Sequence, residues 1–338
     1  MNLPESSKLQ FTSDMRTCRI LNGMWQVSGA HGSIDPEKAV ASMFTYHDSG
    51  FTSWDLADIY GPAEDLVGEF RRKLVSDHGA EVLSNIQAFT KWVPHPGPIT
   101  RSMTEETIAS SLRRMNVETL DLLQFHWWDY QNNNYLNALN YLSELRDEGK
   151  IRHLGLTNFD TAHVQLFTDH GIKIVSNQIQ FSLIDRRPEV NMIPYCKEHS
   201  IQLFTYGTVC GGLLSEKYLG QPEPRGYELN TASLGKYKQM IDAWGGWDLF
   251  QELLVTLKRV SEKHNVSIAN VATRYILDRP TVAGVIIGVR LGVTDHRTDN
   301  ARVFDFKLDK EDHELIDTVL GKSRDLYGLI GDCGDEYR

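Results

Sequence analysis

What most constrains the fold of this chain is a rhythm in which short apolar runs of strand length alternate with longer stretches whose apolar residues recur at helical spacing. The runs are Cys18 to Val27, Gly50 to Asp55, Ile86 to Lys91, Leu120 to His126, Ile151 to Thr157, Ile174 to Gln178, Ile201 to Tyr206 and Val282 to Val289. Between them, Pro36 and Glu37 open a helical pattern running to about Ser49, and Ala63 to Val75 carries Leu66, Val67, Phe70 and Leu74 on one face. Further helical patterns cover Thr104 to Met115, Asn137 to Glu148, 160–170, 189–199, 249–262 and 267–278. A strand buried on both faces reads as a near-continuous apolar run, and parallel neighbours need a crossover helix. Eight such strands, with no internal repeat and no low-complexity linker, predict a single (β/α)8 TIM barrel spanning residues 1–338. The stretch Gly211 to Gly246, rich in Gly, Pro and Tyr, breaks the rhythm and is expected to be a long loop over the C-terminal face.

Composition narrows the partners. With 45 acidic against 35 basic residues the net charge is −10, which argues against a nucleic-acid or anionic-membrane surface and favours small molecules. Cys18, Cys196, Cys210 and Cys333 are far apart with no C-x-x-C pair, as expected of reduced cytoplasmic thiols. The first residues include Glu5 and Asp14 and no apolar run, so no secretory leader is expected, no segment reaches membrane-spanning length, and the Asn265-Val-Ser267 sequon is expected to be idle.

A TIM barrel presents its chemistry where strands empty into loops at the C-terminal face. In Gly50-Phe-Thr-Ser-Trp-Asp-Leu-Ala-Asp-Ile-Tyr-Gly61 the strand turns polar near Asp55, which brings Asp55 and Tyr60 to that rim. Taken alone, Asp55 could equally be a turn residue and Tyr60 a rim aromatic. Lys91 ends the third run and His126 the fourth, so four polar groups fall at successive strand ends. A tyrosine donates a proton usefully near neutral pH if a nearby ammonium stabilises its phenolate, and a carboxylate keeps that ammonium charged and in place. Histidine can donate to a carbonyl oxygen as charge develops there. The set matches carbonyl reduction. Metal-dependent hydrolysis fits less well, because Lys91 stands between the only candidate ligands, Asp55 and His126. His31, His153, His163, His170, His199 and His264 lack metal-ligand spacing and are expected at the surface or in packing.

The segments Asp55-Leu-Ala-Asp-Ile-Tyr60-Gly-Pro-Ala-Glu64, Phe89-Thr-Lys91-Trp, Asp121-Leu-Leu-Gln-Phe-His126-Trp and Gly149-Lys-Ile-Arg-His-Leu-Gly-Leu-Thr-Asn158-Phe together resemble the aldo-keto reductases, over nearly the whole chain and in the family's order. The resemblance implies an oxidoreductase that reduces aldehydes or ketones, or runs the reverse oxidation, with Tyr60 as general acid, Lys91 beside it, Asp55 holding Lys91 and His126 orienting the carbonyl. It implies NADPH or NADP rather than NAD, bound without a G-x-G-x-x-G helix. Thr157, Asn158 and Gln178 would hold the carboxamide, Tyr206 would stack on the nicotinamide, and Met24, Trp25, Gly207, Leu213, Lys217, Gly288, Arg290, Arg297 and Asn300 would contact the rest, with Arg290 on the 2′-phosphate. Gly207-Thr-Val stands where the family usually has Ser-Pro-Leu, and Leu291 where it has a small hydroxyl residue, which thins the phosphate contacts. A cofactor-binding regulatory subunit with little turnover would keep the same residues. Trp25 and Trp127 are expected at the mouth as substrate contacts, favouring flat or apolar carbonyl compounds.

Overall fold

A computed structural model describes residues 3–29 and 32–338; His31 lies outside them. Ten strands are present: β1 Lys8–Thr12, β2 Met15–Cys18, β3 Ile20–Gly23, β4 Ser53–Asp55, β5 Gln87–Trp92, β6 Leu120–Phe125, β7 Ile151–Thr157, β8 Ser176–Gln180, β9 Gln202–Tyr206 and β10 Val282–Gly288. The last eight close a barrel in chain order, β10 pairing β3, and every pair is parallel. The registers Gly23↔Asp55 and Lys91↔Gln124 bring the strand ends to one level at one rim.

Around the barrel run α1 Pro36–Asp48, α2 Ala63–His78, α3 Arg101–Met115, α4 Asn134–Asp147, α5 Thr161–Asp169, α6 Met192–Glu198, α7 Ala232–Trp244, α8 Trp247–His264, α9 Ile268–Leu277, α10 Arg297–Ala301, α11 Lys310–Leu320 and α12 Leu326–Ile330. Local chemistry fixes their starts. Asp35 caps α1 by accepting from the amides of Glu37 and Lys38, with Pro36 in the first turn, and Ser267 caps α9 by accepting from Asn270.

The apolar residues form two cores. The larger lies between strands and helices; the smaller fills the barrel itself with Leu21, Phe89, Leu122, Phe204, Ala283 and Ile286, and Phe11 and Met15 of the β1–β2 hairpin close its lower end. Phe11 sits 5.9 Å from Phe89 and 5.0 Å from Phe204 between ring centres, so the hairpin plugs the floor and leaves the opposite rim open.

Three expectations on boundaries are corrected. The first barrel strand ends at Gly23 rather than Val27, because Met24–Val27 coils into a 3-10 turn with Met24 and Val27 packed inward. The strand expected at Ile174 to Gln178 is shifted to Ser176–Gln180. About a third of the Gly211 to Gly246 stretch is helix α7, not loop: Leu234, Tyr237, Ile241 and Trp244 recur at helical spacing and are buried, a signal hidden by Gly235 and the glycines before it. What remains irregular runs from Gly207 to Thr231.

Candidate active site

The ends of β4, β5, β6, β7, β8 and β9 open on a cavity of about 430 Å3. At its base the Lys91 ammonium donates to Asp55 Oδ2 at 2.7 Å and to the carbonyl of Leu56 at 2.7 Å, and it stands 4.9 Å from the centre of the Tyr60 ring. Asp55 and Lys91 are each only 3 % exposed, so a lone charge at either position would be strongly penalised. Asp55 is further satisfied through Oδ1, which accepts from Gln178 at 2.7 Å and from Gln124 at 3.2 Å, while Gln178 also donates to Gln124 at 2.9 Å. Gln124 had no place in the sequence reading. The signal was there in principle, since it lies two residues before His126 and alternation along β6 turns both into the barrel.

Burial, followed by the Asp55 carboxylate, holds the Tyr60 phenol well above its ordinary value, and burial pushes the Lys91 ammonium down against the pull of Asp55. Burial thus favours the neutral form of both groups. The Tyr60 neighbour Asp58 accepts from the Val93 amide at 3.3 Å, and burial pushes its carboxyl up to about 6.

His126 departs from expectation. It is buried, with burial pushing its pKa down to about 4, and its Nδ1 lies 3.0 Å from the carbonyl oxygen of Thr157. A carbonyl can only accept, so the neutral ring carries its proton on Nδ1 and turns Nε2 into an acceptor, the reverse of the donor expected. Nε2 is buried and meets no partner among the described residues.

Of the expected cofactor contacts, Trp25, Thr157, Asn158, Gln178, Tyr206, Gly207 and Gly288 line the cavity, as does Gly211 at the start of the segment expected over the phosphates, together with Gln26, Ser233, Lys236, Tyr237 and Tyr337, which the sequence reading did not single out. Met24 and Leu213 do not, being wholly buried in the outer core. Lys217 stands 5.0 Å from the Tyr218 ring centre instead. Arg290, Arg297 and Asn300 also lie away from the cavity wall. Arg297 is committed elsewhere: its guanidinium grips Asp295, and Nη1 donates to Thr45 O and Ser49 Oγ at 2.7 Å each, tying α10 to the end of α1. Trp127 is corrected outright. It is completely buried, its indole N–H shared by the carbonyls of Asp129 and Asn132, and the exposed indole beside His126 belongs to Trp128, 4.3 Å away between ring centres. Alternation runs on past the end of β6 and would have picked the right indole: His126 and Trp128 line the cavity, and Trp127 packs outward with Phe125.

The far wall comes from distant sequence. Tyr206 donates to Asn158 Oδ1 at 2.7 Å and its hydroxyl meets that of Tyr337 at 2.9 Å. The segment bearing Tyr337 is anchored by Arg187, which pairs with Asp185 and Glu336 and donates to Asp332 O, and by Arg338, which donates to Asn158 O. Among the described residues, no group of His, Cys, Asp and Glu could hold a metal, and no helix is long and apolar enough to cross a membrane.

Comparison with known proteins agrees with this geometry. A family model described as "Aldo/keto reductase family" matches residues 19–320. The aldo-keto reductase YhdN of Bacillus subtilis is 26 % identical over 314 residues, 89 % of each chain, and the NADH-specific methylglyoxal reductase of Escherichia coli is 24 % identical over 69 % of this chain and 78 % of its own. The glycerol dehydrogenase of Gluconobacter oxydans shares the fold, with a TM-score of 0.76 at 23 % identity, covering 94 % of this chain and 96 % of that one.

Proposed function

The chain belongs to the aldo/keto reductase family of oxidoreductases, which use nicotinamide cofactors, and on that premise we propose that it reduces aldehyde or ketone groups of small molecules with NADPH, Tyr60 acting as proton donor. The observation that carries this reading is the placement of the Lys91 ammonium, 2.7 Å from Asp55 Oδ2 and 4.9 Å from the centre of the Tyr60 ring, at the wall of a cavity that His126 also lines.

The cavity wall fits a flat ring. Gly207, at φ +74°, leaves no room for a side chain because a Cβ there would come within 2.6 Å of the Tyr237 hydroxyl; Tyr206 presents a ring beside it, and the buried Oε1 of Gln26 has no donor among the described residues. Tyr206, Asn158, Thr157 and Gln178 would hold the nicotinamide end. A bound nicotinamide supplies the hydride. Tyr60 gives its proton to the carbonyl oxygen as negative charge develops there, and its high pKa keeps that proton in place until then. The ammonium of Lys91 stabilises the phenolate left behind, and Asp55, clamped by Gln124 and Gln178, keeps the ammonium in position.

His126 Nε2, as an acceptor, receives a hydroxyl hydrogen, either of the alcohol product or of a hydroxyl adjacent to the carbonyl. This favours hydroxylated substrates and lets the same groups serve the reverse oxidation. The NADPH preference rests on Arg290, which stands where the family places its contact to the 2′-phosphate. The four cysteines, buried and unpaired, support a reducing, cytoplasmic setting.

The test is to load the protein with NADPH, add a panel of aldehydes and hydroxyaldehydes, and follow nicotinamide absorbance in a single turnover. Loss of absorbance in step with alcohol formation is expected. Cofactor binding with no loss across the panel would favour the regulatory-subunit reading.

A further inference from the structure

Lys236 is a cation on the cavity wall whose partners among the described residues are all neutral and all aromatic. Its ammonium donates to the Tyr337 hydroxyl and stands 4.4, 5.1 and 5.6 Å from the ring centres of Tyr337, Tyr206 and Tyr237. The buried lysines Lys91 and Lys238 behave differently: Lys91 has Asp55, and Lys238 has Glu223 and Asp242. A tyrosine cage holds an ammonium through the negative faces of its rings, but more weakly than an ion pair, and it leaves N–H donors free to turn to an anion that enters.

The cage also fixes where such an anion would sit. Tyr337, which accepts from Lys236, lies 6.2 Å from His126 and 6.4 Å from Trp128 between ring centres, so one ring, that of Tyr337, links the cation to the groups at the catalytic end of the cavity. Apolar Ile59, Val93 and Trp25 form other parts of the wall. Charge at the Lys236 end and an apolar middle complete a pocket with distinct ends.

We propose that Lys236 recognises an acidic group, a carboxylate or phosphate, carried by the substrate at roughly an aromatic ring's length from its carbonyl, with Tyr337 presenting the ammonium. This rests on the carbonyl-reductase reading of the same cavity and names a substrate class within it. An anion adds the attraction of a full opposite charge to the hydrogen bond, which the neutral Tyr337 hydroxyl does not, so an entering anion takes the N–H donors from that hydroxyl.

The probes are 4-carboxybenzaldehyde and its neutral methyl ester, similar in shape; the ester's greater electrophilicity is the same in every variant and cancels when acid-to-ester ratios are compared between them. In the wild type kcat/KM should favour the acid; in Lys236→Met the acid-to-ester ratio should fall by about tenfold, and in Lys236→Arg most of it should return. A ratio equal in wild type and Lys236→Met, or acid and ester falling together, overturns the proposal. So does a tenfold weaker NADPH dissociation constant in Lys236→Met, read by nicotinamide fluorescence without substrate, since the lysine would then serve the cofactor. A binding arm needs no turnover: 4-(hydroxymethyl)benzoate should quench tryptophan fluorescence of the NADPH complex at lower concentration than benzyl alcohol in the wild type, with no such advantage in Lys236→Met. If no aldehyde is reduced, the reductase reading fails and this arm still decides for or against Lys236.

Discussion

The two walls of the cavity hold their charges in opposite ways. At the strand ends, Lys91 meets a carboxylate and a carbonyl, and Asp55 is closed off by two glutamines, so the ion pair is satisfied by the chain itself. On the wall formed by α7 and the segment bearing Tyr337, Lys236 is held among the described residues by tyrosines alone. A satisfied buried ion pair resists rearrangement, because moving either partner exposes a charge in a poorly solvated place; a caged cation can exchange partners at small cost. Chemistry that must be repeated unchanged suits the first wall, and selection among ligands suits the second.

The largest expected effect breaks the first wall. Lys91→Met should lower turnover by about a thousandfold or more and destabilise the fold by about 3–5 kcal/mol, because the Asp55 carboxylate is left buried without its cation. Chemical denaturation and steady-state rates check both, and near-normal stability would show that Asp55 is not held by Lys91. Next, Arg290→Ala should weaken NADPH by about tenfold and leave NADH nearly alone, whereas Arg297→Ala should leave both dissociation constants alone and lower the melting temperature, since its hydrogen bonds run to Thr45, Ser49 and Asp295. If the two variants behaved alike, the distinction between cofactor contact and structural clamp would fall.

The smallest effect concerns pH. Folding raises the Asp58 carboxyl to about 6, so its contribution to stability is fully present below its ordinary value and is lost as pH rises through 6. Asp58→Asn keeps an acceptor for the Val93 amide and removes the buried charge. It should therefore be more stable than the wild type at pH 7.5 by about 1–2 kcal/mol, discounted for partial exposure, and the gain should vanish near pH 4. Urea midpoints at the two pH values test it, and a gain independent of pH would assign the effect to something other than ionisation.

Most of the barrel and the strand-end wall could be read from the sequence because both depend on short-range pattern. Asp55, Tyr60, Lys91 and His126 each end or follow an apolar run, and a parallel barrel brings such ends to one rim. The other wall could not be read that way. Tyr337 meets Tyr206 across 131 positions and Lys236 across 101, and no local periodicity encodes such a contact. Trp127 and Trp128 were legible but misread: the alternation of β6 runs on past Phe125, so Trp127 packs outward beside it while Trp128 turns to the cavity with His126. The His126 tautomer could not be read that way, being set by the Thr157 carbonyl on the neighbouring strand.

The claim at the centre of this account is that the strand-end wall moves the proton while the opposite wall holds ligands, and Tyr60→Phe tests it most directly. The measurement is single-turnover loss of nicotinamide absorbance alongside NADPH affinity by fluorescence, in wild type and variant. The account predicts a rate lowered by orders of magnitude with a dissociation constant within about twofold of the wild type, because the lost hydroxyl acts only in the transition state. A rate close to the wild type, or a loss of NADPH affinity as large as the loss of rate, would contradict it.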